Sequence, residues 1–75
     1  MRRLGEVVRV AGGTAVVRCS EADPPEIGAR VTDDQLTELG RVVDVFGPVE
    51  RPYAAVSPDA GVRLPPLLGT TLYAR

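Results

Sequence analysis

Leu4-Gly5-Glu6-Val7-Val8-Arg9-Val10-Ala11-Gly12-Gly13-Thr14-Ala15-Val16-Val17-Arg18-Cys19 is the stretch whose reading decides the fold. Leu4 to Val10 is rich in Val, and Thr14 to Cys19 is similar. β-Branched side chains suit a pleated strand. Two such runs joined by Gly12-Gly13 predict a hairpin. In the second run Ala15, Val17 and Cys19 share one face, and Thr14, Val16 and Arg18 the other. Downstream, Ser20 to Gly28 is polar and contains Pro24-Pro25, so it reads as a loop. Ala29 to Thr32 reads as a short strand. Asp33-Asp34-Gln35-Leu36 is either one turn of helix or a tight turn. Glu38 to Phe46 is the next strand. Its apolar residues Leu39, Val42, Val43, Val45 and Phe46 do not alternate, which fits a strand covered on both faces or a bulged one. Gly40 in its interior marks a bulge or another backbone lying close. Gly47-Pro48 breaks the strand, Tyr53 to Val56 resumes it, and Ser57 to Gly61 ends it. Val62 to Leu64 reads as a short edge segment and Leu67 to Tyr73 as a closing strand.

Helical periodicity is absent. Eight Gly and seven Pro separate short strands, which points to an all-β barrel or sandwich. For a single domain of residues 1–75, the expectation is a small closed barrel of about six strands, because closure removes exposed edges. No internal repeat, linker or low-complexity tail is visible. Hydrophobic residues make up 44% of the 75, too many for a disordered chain. A domain this size buries only about 60% of the surface that its unfolded chain exposes, which leaves little room for a deep pocket.

Nine basic residues, all Arg, face ten acidic ones, for a net charge of −1. A free-standing nucleic-acid binder would be strongly basic. One Cys rules out an internal disulfide, and with no His a structural zinc site is not expected. Cys19 ends an alternating apolar run, so it reads as a core residue, with a reactive thiol as the alternative. The start at Met1-Arg2-Arg3 lacks a signal-peptide pattern, and no apolar run approaches the roughly 20 residues of a membrane span. The chain is expected to be soluble and cytoplasmic, with no membrane partner. The commonest general base is missing, and so are a phosphate loop and a paired nucleophile. Asp33-Asp34 is the one obvious carboxylate pair, and it reads as a solvated turn. No enzyme activity, cofactor, metal or small-molecule substrate is expected.

Phe46-Gly47-Pro48-Val49-Glu50-Arg51-Pro52-Tyr53 departs from what a loop between strands should be. Such loops are polar, and this one holds Phe, Val, Tyr and two Pro. Pro48 and Pro52 each fix φ and lack an N–H, and Gly47 permits backbone angles closed to other residues. A stiff loop loses little entropy on binding, and aromatic and Arg side chains anchor interfaces. The competing reading makes Phe46 and Tyr53 core plugs.

Leu39-Gly40-Arg41-Val42-Val43-Asp44-Val45-Phe46-Gly47-Pro48-Val49, followed by Pro52-Tyr53-Ala54-Ala55-Val56, resembles the Gar family, small core proteins of H/ACA ribonucleoproteins that carry out RNA-guided pseudouridylation. Arg3-Leu4-Gly5-Glu6-Val7 and Leu68-Gly69-Thr70-Thr71-Leu72-Tyr73 resemble the archaeal version. The most specific part runs from Gly40 to Val49. The resemblance implies a six-stranded barrel like those of certain translation factors. It also implies a non-catalytic subunit, monomeric when free, that binds a dyskerin/TruB-like pseudouridine synthase and meets the guide RNA particle indirectly. Control of the synthase's thumb loop would aid substrate loading and turnover during rRNA processing. The implied partner surface is Phe46, Gly47, Pro48, Val49, Pro52 and Tyr53, supported from the strand by Gly40 and Val42. The sequence stops at Arg75 without the Gly/Arg-rich or basic tails of many members, so RNA binding through a tail is not expected. The alternatives are a direct RNA-binding barrel, such as the Sm-like subunit of ribonuclease P, a small carboxylate enzyme, and an assembly barrel with another protein partner.

Overall fold

In the computed structural model residues 2–75 are described, and Met1 lies outside them. The opening hairpin forms as read. β1 (Arg2–Ala11) and β2 (Thr14–Cys19) pair antiparallel. Gly12 and Gly13 have φ of +60° and +74°, the double left-handed turn that matches the twist of the flanking strands. β3 (Arg30–Thr32), β4 (Glu38–Phe46), β5 (Tyr53–Pro58) and β6 (Thr71–Ala74) complete a closed barrel in the order β1-β2-β5-β4-β3-β6. The all-β, six-stranded expectation holds.

The core is aliphatic. Every strand sends at least one fully enclosed aliphatic side chain inward: Val7, Val17, Val31, Val42, Val56 and Leu72. Cys19 joins them as an interior residue, as its place in the alternating run suggested. Burial pushes its thiol above the usual range, and the charge on Arg2 only partly opposes this.

Bulges explain the irregular apolar pattern. The β4–β5 register shifts between Val42 and Asp44, which leaves Val43 as the extra residue. β1 shifts in the same way at Val8 against β2 and at Leu4 against β6. Gly40 answers the other expectation, since the Ser57 carbonyl lies where its Cβ would be.

Asp33 to Thr37 is a tight turn and not a helix. The Asp33 carboxylate accepts from the Gln35 and Thr37 backbone N–H groups, each at 2.9 Å. Two expectations need correction. Val62–Leu64 is not a strand, and the closing strand begins at Thr71 and not at Leu67. Pro65-Pro66 cannot donate to a ladder and instead start a 3-10 turn, Pro65–Leu67, in which the Leu67 N–H donates to the Leu64 carbonyl at 2.8 Å. Leu64 itself is buried in the core cluster.

Candidate docking surface on the outer barrel face

The eight residues singled out above divide into two groups. Gly40, Val42 and Pro52 are enclosed. They shape the surface from beneath and cannot meet a partner while the barrel is intact. Val42 fills the core, and the Pro52 carbonyl accepts from the Cys19 N–H at 2.9 Å, which pins the end of the loop onto β2. Phe46, Gly47, Pro48 and Val49 are exposed, and Tyr53 is half-buried.

Phe46 faces outward at 45% exposure, so it is no core plug. Its ring stacks on Tyr53 with centroids 5.8 Å apart and planes 15° from parallel. Residues 46 and 53 are cross-strand partners at the ends of β4 and β5, and this register brings the rings together. Gly47 makes the stack possible. Its φ is +95°, and a Cβ there would sit 2.8 Å from Tyr53 Cδ1. The loop then turns tightly, with the Arg51 N–H donating to the Pro48 carbonyl at 3.3 Å. Val49 stands out at the tip, 87% exposed.

The aromatic pair continues into an apolar face that sequence reading missed. Val8, Ala11 and Val16 line an open groove of about 420 Å³ together with Arg9, Phe46 and Tyr53. In the ladder Val16 lies opposite Ala55, and Arg18 opposite Tyr53. The outward position of Val16 was legible from the alternation of β2. Val8 follows enclosed Val7 and is outward by the same alternation; what the β1 sequence does not show is that the bulge there keeps Arg9 outward as well and returns Val10 toward the core. A rigid stacked pair, an exposed aliphatic tip and Arg at the rim suit a protein partner. Among the described residues, no three His, Cys, Asp or Glu side chains are grouped so as to hold a metal ion.

The comparisons agree with this architecture. A family model described as "Gar1/Naf1 RNA binding region" matches residues 1–75. An uncharacterized protein of Methanothermobacter thermautotrophicus is 28% identical over 76 aligned positions, which cover 97% of this chain and 82% of that protein. With the family match running the length of a closed six-stranded barrel, the chain belongs to the Gar1/Naf1 family, accessory proteins with an RNA-binding role in H/ACA ribonucleoproteins.

Proposed function

We propose that this chain is a non-catalytic subunit of a cytoplasmic H/ACA particle that docks on a dyskerin/TruB-like pseudouridine synthase through Phe46, Val49 and Tyr53. By setting the position of the synthase's thumb loop it promotes substrate loading and product release. The exposed Phe46 stacked on Tyr53 carries this reading. A core of this size has every reason to bury its one Phe, and this barrel does not. The pair is already ordered, so little rotamer entropy remains to be lost on docking. Uridine isomerisation, with its catalytic Asp, belongs to the synthase. Gating of a loop changes turnover without touching the chemical step. Family membership sets aside the ribonuclease P subunit.

Calorimetric titration of purified synthase tests the docking. Phe46→Ala should weaken binding about tenfold or more, roughly 1.4 kcal/mol. Glu21→Arg should leave it unchanged. Asp59 is unsuitable as a control, because its carboxylate accepts from Arg30. In guided pseudouridylation the chain should raise multiple-turnover rates more than single-turnover rates. Equal affinity of folded Phe46→Ala and wild type would overturn the assignment.

A further inference from the structure

Positive and negative charge nearly cancel over the sequence, but not in space. Arg2 pairs with Glu21 and Asp23, Arg30 with Glu38 and Asp59, and Arg75 with Glu38. Among the described residues, no carboxylate lies within ion-pair distance of Arg3, Arg18 or Arg51. These three line one open cleft of about 330 Å³, and Glu6 is the single carboxylate in its lining. Ser20 and Thr71 add hydroxyl groups. The arginines come from β1, from β2 and from the loop before β5. Gly5 leaves the cleft floor bare, and its backbone lies directly against the Arg18 carbonyl.

We propose that this cleft is a phosphate-binding site for the backbone of single-stranded RNA. Three guanidinium groups around one carboxylate, Glu6, which lies opposite Arg18 across the β1–β2 ladder, leave the cleft with an excess of positive charge that an anion can share. The planar guanidinium forks donate pairs of hydrogen bonds to phosphate oxygens, and the hydroxyls of Ser20 and Thr71 can donate alongside. RNA fits better than an acidic protein segment. The lining holds no large apolar side chain to anchor a protein, whereas the apolar groove lies beyond Arg18, on the Tyr53 side of the ladder. The inference rests on the family's RNA-binding role and assigns it a place. It does not depend on synthase docking. It also revises what the net charge implied: a balanced total conceals a local anion site.

The test is fluorescence anisotropy with a labelled, unstructured RNA oligonucleotide and the full chain. Wild type should bind with an affinity that falls as salt rises. The combined variant R3Q/R18Q/R51Q should lose about tenfold or more, and the slope of log affinity against log salt should fall by about 2, the value for three single-strand phosphate contacts. The control R41Q/R63Q changes two exposed arginines outside the cleft and should stay within about twofold. Melting curves show that each variant is folded, and the positions are exposed enough to tolerate Gln. Equal losses in cleft and control variants, or unchanged affinity of the cleft variant, would overturn the site. So would a cleft variant that keeps RNA affinity but loses the synthase in the calorimetric assay, which would place the cleft in the protein interface. Failure of the docking proposal reads differently: Phe46→Ala keeps synthase affinity while RNA binding still depends on Arg3, Arg18 and Arg51.

Discussion

Gly40 shows how much one absent atom decides. A Cβ there would lie 2.0 Å from the Ser57 carbonyl oxygen and 3.0 Å from the Pro58 Cα, both backbone atoms that cannot rotate away. Gly40→Ala should therefore force β4 and β5 apart and cost about 3 kcal/mol in a urea melt. Gly61→Ala meets no atom within 4 Å but sits at φ +84°, and should cost only about 1 kcal/mol. Sequence position announced Gly40 as a bulge or a close approach, and the pairing with β5 selected the second. Cys19 has a different signature. Its folded pKa is raised, chiefly by burial, so the neutral thiol is the form that the fold prefers. The associated stability is fully present below the thiol's ordinary pKa and is lost as pH rises through the higher folded value. The thermal midpoint of wild type should fall above about pH 9, and Cys19→Ala should flatten that part of the profile.

Among the elements, the proposed docking surface rests on the loop from Gly47 to Pro52 and on the bulges in β1 and β4. The loop is pinned at Pro52 and open at Val49, so stability and recognition separate along it. Val49→Asp removes an 87% exposed side chain and should change folding stability by less than about 0.5 kcal/mol. The same substitution should weaken synthase binding about tenfold in the calorimetric titration, since it places a charge where the loop would be desolvated. The bulges act on a larger area. By shifting parity after Val8 and Val43 they keep Arg9 and Asp44 outside beside them, return Val10 and Val45 toward the core and leave Phe46 outside. An irregular run such as Leu39 to Phe46 fits a bulge or a strand covered on both faces, and the pairing with β5 selects the bulge. The run does not reveal which residue is turned out, because that depends on the partner strand.

Across the whole molecule, closure depends on a short seam. β3 has three residues and bridges β4 to β6 through Val31–Ala74 and Thr32–Tyr73. Around it Arg30 donates to both Glu38 and Asp59, and Arg75 donates to Glu38 at 2.9 Å, which ties β3, β4, the turn after β5 and the C-terminus together. Glu38 and Arg75 are exposed and Arg30 and Asp59 half-buried, so salt screens the network in part. Arg30→Met should lower the thermal midpoint at low ionic strength, and the difference from wild type should shrink in high salt. An unchanged difference would assign the effect to packing of the aliphatic stem instead. Sequence by itself determined the hairpin, the barrel class and the Gly and Pro restraints on the Phe46–Tyr53 loop. All of these follow from local backbone preference and from alternation over a few residues. Only the tertiary structure decided that Phe46 faces outward, that Val8 and Val16 extend its surface, and which arginines keep uncompensated charge. Those outcomes depend on strand register across bulges and on ion pairs between residues as far apart as Arg75 and Glu38, 37 positions along the chain. No local pattern records such distances, because chain closure brings the partners together.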